Sequence, residues 1–237
     1  MSQYEVLNKE EHRHLRIKTG YGAALGDAVM YMMTYPMEFR DIQSCYPILF
    51  TKDPNTGGFF PAAVLGFEAD QNLFLQDHRW DAPYVPAMAQ RQPFLIATGG
   101  EGDDRAPVVS LDRGHPRISQ DEGEALFDSQ GGTTEFLERK IALLDKLHNG
   151  LQHGKGFVDA LLRHELLEQI TLDIAFNDGS KQTLQGFYCI AEERLYQLQG
   201  DALESLNQAG YLQPVFMAVA SLSRMRDVIE RRNRVQA

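Results

Sequence analysis

The stretch QITLDIAFNDGSKQTLQGFYCIAEE, residues 169–193, most narrows what the chain can fold into. Two runs with apolar residues at alternate positions flank Asn-Asp-Gly, the sequence signature of a β-hairpin. The turn decides which side chains share a face. A two-residue turn at Asp178-Gly179 would set Ile174 opposite Thr183 and Leu172 opposite Gln185, mixing apolar with polar. A three-residue loop, Asn177-Asp178-Gly179 with the glycine left-handed, sets Leu172 opposite Leu184 and Ile170 opposite Gly186. Only the second register keeps one apolar face together, so the bulged loop is expected.

The first half of the chain reads as short strands, at residues 28–34, 46–50, 59–67, 94–98 and 108–111, with a turn at residues 53–58. Pro47 and Pro61 fall near strand starts, where a missing donor costs least. Thr133 or Thr134 can cap a helix beginning EFLERK, with Leu137, Ile141, Leu144 and Leu151 as its core stripe. Asn149-Gly150 or Gly154 ends that helix, and residues 157–168 form another. Asp201 caps a short helix that stops at Gly210. Pro214 opens a last helix to about Arg232, with Val215, Val219, Leu222, Met225 and Ile229 inward. Arg224, Arg226, Arg231, Arg232 and Arg234 crowd its end, interleaved with Asp227 and Glu230 as a solvated face. The expectation is a single α+β domain over residues 1–237, mainly antiparallel sheet with a C-terminal hairpin and helices packed on it. Two subdomains meeting near residues 99–132, where the acidic stretch GGEGDD lies, is the alternative.

Charge removes several function classes. A net charge of -10 speaks against a broad nucleic-acid footprint, which needs a basic face, and against an electrostatically held membrane-surface protein. Residues 21–39 are apolar, but Asp27, two glycines, Pro36 and Glu38 interrupt them, and a spanning helix needs about 20 apolar residues. The N-terminus has no basic region leading into an apolar run, which predicts a cytoplasmic protein. Cys45 and Cys189 sit among apolar neighbours and read as small buried hydrophobes. His12 and His14 would share a face of an extended segment, as an exposed polar pair rather than a metal site. His148 continues a helical stripe at the edge of the core. No nucleophile elbow, phosphate loop or Cys-x-x-Cys is present, and neither metal nor cofactor is expected.

The unusual chemistry lies in NLFLQDHRWDAPYVPAMAQRQPF, residues 72–94, which holds the one tryptophan and three of the ten prolines. Trp80 and Tyr84 offer broad rings with a polar handle, and Arg79 and Arg91 could stack on or fork to a ligand. The prolines lower the entropic cost of holding the segment still. It reads as a preorganised wall for a ligand or partner, made of Trp80, Tyr84, Arg91, Arg79, His78 and Arg40, or else as a plug over a sheet edge.

Five stretches in order, EFRDIQSCYPILF, AAVLGFEADQNLFL, RWDAPYVPAMAQRQPF, GFYCIAEERLYQL and VASLSRMRDVIERRN, make the chain resemble the SapC-like family of bacterial proteins. The family pattern usually carries paired arginines and an aromatic before Pro-Phe; here Gln90 and Gln92 flank Arg91. The resemblance implies an accessory role in uptake or modification of a substrate, and through the family's name a link to surface layers. Three functions follow as expectations. The first is a soluble, non-enzymatic binding or accessory protein with a small-molecule or protein partner, a homodimer included. The second is an enzyme of unrecognised type acting on an aromatic or peptide substrate through Arg40, Asp41, His78 and Arg91. The third is a surface-layer component.

Overall fold

The computed structural model describes residues 4–99 and 106–235; most of the acidic loop, with Asp103 and Asp104, lies outside the described residues. Every strand pairing among the described residues is antiparallel, and helices make up the rest of an α+β fold. The chain divides into two compact units interleaved along the sequence. The first comprises Met1–Asp27, Leu75–Trp80 and Ala87–Asn149; the second comprises Ala28–Phe74, Asp81–Pro86 and Gly150–Ala237. Residues 99–132 therefore belong wholly to the first unit.

The second unit is built on a five-stranded sheet of β1 (Tyr31–Met33), β2 (Ile48–Lys52), β3 (Phe59–Val64), β4 (Leu167–Ala175) and β5 (Lys181–Ile190), in the order β4-β5-β2-β3-β1. Strand β2 does not alternate because both its faces are covered. Leu49 packs with Val64, Leu184 and Phe187, and Leu222 and Met225 lie against that cluster. Phe50 points to the opposite face and meets the ring of Phe157 on the long helix. The hairpin β4–β5 has the expected three-residue loop, with Gly179 at φ 83° and Leu172 opposite Leu184. Beyond it the expected register slips: Ile170 faces Phe187, not Gly186. A bulge absorbs one residue, and Gly186 takes it up with a left-handed φ of 81°.

The long helix runs unbroken from Glu135 to Arg163, its first turn capped where the Leu137 amide donates to the Thr134 hydroxyl. Neither Gly150 nor Gly154 ends it, contrary to the sequence reading. A Cβ on Gly150 would stand 2.5 Å from Met37 Sδ, and one on Gly154 3.3 Å from Tyr35 Cδ1. These glycines admit the segment 35–37 against the helix instead of stopping it. The buried stripe turns as a result: Leu137 and Leu144 are buried, while Leu151, expected in the core, is 53% exposed. The last helical region is also broken differently from expectation, into Leu212–Ser221, a tight turn at Leu222–Arg224, and Met225–Val235. At the break the Ser221 hydroxyl donates to Ala218 O and accepts from the Ile48 amide, a back-bond of the kind that bends helices. Nor are its terminal arginines all solvated. Arg231 forks to Asp81 and stacks on Phe74, and buried Arg232 lies over Phe176.

The first unit holds a three-stranded sheet with Ala106–Asp112 between Tyr4–Val6 and Phe94–Gly99. Leu15, Ile17, Phe94, Leu111, Leu126, Phe136, Leu137 and Leu144 form its core. Charge is buried beside that core. Arg117 Nη2 donates to both carboxylate oxygens of Asp27 at 2.8 Å, Nη1 donates to the carbonyls of Lys18 and Gly20, and the guanidinium lies 5.2 Å from the Tyr21 ring. His12 corrects the sequence reading as well. It ends a short helix rather than lying in a strand, and it is fully buried, with its ring bonded to the Asn8 backbone and to Glu5.

Candidate functional site

In the second unit a groove of about 630 Å³ opens between the start of β3 and the second half of the long helix. One wall is aromatic: Tyr35, Phe59 and Phe60, followed by Pro61. Phe59 is fixed edge-on to Tyr188, and Phe60 packs against Tyr31. The other wall is helical, with Leu151, Val158 and Leu162 on one side of the helix and Gly154 at the floor. Val158 is buried, but Leu151 and Leu162 are 53% and 45% exposed. Size and lining are those of a small-ligand site.

Polar groups at the groove fall into two kinds. Some are already committed: the Asp53 carboxylate accepts from the amides of Asn55 and Thr56 and from the Thr56 hydroxyl, and these hold its pKa below the usual carboxylate range. Others are available: the side chains of Lys155 and Asp159, exposed and one helical turn apart, take part in no ion pair or hydrogen bond among the described residues.

Behind the wall lies a chain of hydrogen bonds. Thr34, which lines the groove, donates its hydroxyl to buried Glu38; Glu38 also accepts the Tyr84 hydroxyl, and the Tyr84 carbonyl accepts the Tyr46 hydroxyl. Burial, and after it the Glu38 carboxylate, raises the Tyr84 pKa well above that of an ordinary tyrosine. Tyr84 therefore supports the groove from behind.

The six residues expected to form one wall are divided between the units. Trp80, Arg79, His78 and Arg91 belong to the first unit, Tyr84 and Arg40 to the second. Trp80 ends a minimal hairpin, Leu75–Gln76 with Arg79–Trp80, whose turn holds Asp77 and His78 at positive φ. It is buried, with its ring edge-on to Tyr21 at 5.5 Å. Arg79, His78, Arg40 and Asp41 are exposed. Arg91 is half-buried and donates to the Phe94 carbonyl. Its immediate cavity, shared with Gln92 and His115, is only about 130 Å³.

Sequence reasoning missed the groove because it placed Leu151 in a core stripe and ended the helix at its glycines. The available signal was Gly150-x-x-x-Gly154, small residues four apart, which marks close approach of another segment. As expected, both cysteines are buried; burial, with Glu168 adding to it, pushes the Cys189 thiol up to about 11, away from reactivity. Among the described residues no cluster of three or more His, Cys, Asp or Glu is arranged to hold a metal ion, and no helix is long and apolar enough to cross a membrane.

The profile of a protein family described as SapC matches residues 7–228. No curated protein and no solved structure matches the chain.

Proposed function

The chain belongs to the SapC family, and from that premise we propose that it is a non-enzymatic binding protein whose ligand lies in the groove of the second unit. The observation that carries this reading is the pair of exposed leucines, Leu151 and Leu162, sharing a groove with Tyr35, Phe59 and Phe60. An apolar surface left open beside an aromatic wall gains about 25 cal/mol for each Å² that a ligand covers. Lys155 can donate to a carbonyl and Asp159 can accept from an N–H, so the groove suits apolar side chains carried on amide groups. The ligand class is a short apolar peptide.

Calorimetric titration with an amidated peptide rich in leucine and phenylalanine tests this, alongside fluorescence titration with anilinonaphthalene sulfonate. Saturable binding of both is expected, with the two competing. The double substitution Leu151→Asp and Leu162→Asp should abolish binding while leaving the circular dichroism and melting temperature close to those of the native chain, since both positions are exposed. Binding of equal strength by that variant, or none by the native chain, sinks the reading.

A further inference from the structure

The first unit contains a pocket of a different character. It has a volume of about 380 Å³ and lies between the segment around Tyr21, the short helix Ala87–Gln90, and the first turns of the long helix. Among the described residues four cations line it, Lys18, Arg117, Arg139 and Lys140, against one carboxylate, Glu124. That concentration of positive charge stands in a chain whose net charge is -10.

The four cations are not equally neutralised. Lys18 pairs with Glu122 and Arg139 with Glu135, both in solvent-exposed pairs of small worth. Arg117 is held by Asp27, yet its Nε is buried with no hydrogen-bond partner. Among the described residues Lys140 has no carboxylate partner. Its ammonium donates to the Gln90 carbonyl and sits 5.1 Å from the Phe136 ring. Gln92 lines the same pocket, and its amide oxygen is buried with no hydrogen-bond partner among the described residues. The pocket thus offers an ammonium with no carboxylate partner among the described residues, the charge of a buried guanidinium behind it, and Phe136, Leu143 and Ile17 as apolar surface.

We infer that this pocket is a second binding site, taking a small oxyanion, carboxylate or phosphate, carried on an apolar group. The anion would answer the Lys140 ammonium with Arg117 and Arg139 in support, and the apolar part would lie against Phe136 and Leu143. Trp80 and its hairpin act on this site indirectly. The indole, in a T-shaped contact, fixes the Tyr21 ring, which lies against the Arg117 guanidinium, so Trp80 is a positioning residue.

The electrostatics agree with the geometry. Burial, then the positive charges of Arg117 and Arg139, bring the Lys140 pKa down to about 8. Tyr21, Lys18 and Glu124 are the other ionisable groups lining the pocket. An anion beside Lys140 favours the ammonium, so binding must take up protons above about pH 8 and weaken as the pH rises further.

The test is calorimetric titration of the full chain at low ionic strength with benzoate and, separately, with inorganic phosphate. Saturable binding of either supports the site, and the tighter of the two names the source of the oxyanion. Lys140→Met should weaken binding by about tenfold or more, the worth of a charge-assisted hydrogen bond. At about pH 8.5, titrations in two buffers of different ionisation heat should show proton uptake in the native chain and none in Lys140→Met. Arg139→Gln, at an exposed position, should weaken binding a few-fold and tests the same point if the Lys140 variant does not fold. No saturable binding of either anion overturns the inference. So does equal affinity in the variants, or the same proton uptake in Lys140→Met.

Discussion

The first unit buries an ion pair and gathers four cations at a pocket, whereas the second satisfies its buried carboxylate with hydroxyls and leaves apolar surface open at a groove. Asp27 meets a guanidinium through two 2.8 Å bonds; Glu38 accepts from Thr34 and Tyr84. A carboxylate that accepts neutral donors does not depend on any single partner as strongly as a desolvated ion pair does. The units should therefore fail differently. The only tryptophan, Trp80, reports on the first unit, and both cysteines, Cys45 and Cys189, report on the second.

The most damaging substitution should be Asp27→Ala. It leaves the Arg117 guanidinium buried without its counter-charge, a loss of about 3–5 kcal/mol. Urea unfolding followed by Trp80 emission measures it. Replacing both partners, Asp27→Leu with Arg117→Met, should recover most of that loss, because the desolvation penalty disappears with the charges. If the double variant is as unstable as the single one, the pair is needed for its hydrogen bonds to Lys18 and Gly20 rather than for its charge.

Two glycines sharpen the contrast on a smaller scale. Gly123 has φ 102°, and a Cβ there would stand 2.2 Å from the Ile17 carbonyl oxygen. Gly123→Ala combines a left-handed strain with a backbone clash and should cost about 2–3 kcal/mol in the Trp80-monitored transition. Gly179, at φ 83° in the hairpin loop of the second unit, has nothing within 4 Å of the added Cβ. Gly179→Ala then carries only the conformational term, about 1–2 kcal/mol. The exposure of Cys45 and Cys189 to iodoacetamide with increasing urea reads it. A larger loss at Gly179 than at Gly123 would mean that the hairpin register, not steric room, governs these positions.

The hairpin around Gly179 was legible because register follows from side-chain alternation and from one turn, all within a single stretch of sequence. Leu172 opposite Leu184 follows from that local rule; the bulge at Gly186 does not, since it depends on how β5 also meets β2, where the Thr51 hydroxyl donates to the Gly186 carbonyl. The helix glycines mislead a sequence reading for a similar reason. A glycine that ends a helix and one that lets Tyr35 or Met37 come close look alike until the neighbour is known. The groove and the basic pocket were illegible because each draws on segments far apart in sequence: Phe59 with Leu162, Tyr21 with Lys140. Trp80 stands out in the sequence for its chemistry, but its burial against Tyr21 is not legible in a stretch that holds only one of the two rings.

The smallest effect predicted is a rise of the first unit's stability with pH. Lys140 has its pKa lowered from an ordinary 10.5 to about 8, chiefly by burial. Between those values the unfolded chain holds a proton on Lys140 that the folded chain has released, so stability must rise with pH across that window. Tyr21 acts in the opposite sense. Its raised pKa, caused first by burial, means the unfolded chain ionises earlier and stability falls above the ordinary tyrosine value of 10. The gain is therefore clearest from about pH 8 to pH 10 and, with Lys140 only partly shielded from solvent, is on the order of 1 kcal/mol or less. The Trp80-monitored midpoint of the native chain should climb relative to Lys140→Met across that interval. Saturating benzoate should flatten the climb, because an anion in the pocket restores the Lys140 proton. A flat difference without ligand would place Lys140 in full contact with water, and the first unit would then lose the feature that sets its chemistry apart from that of the second.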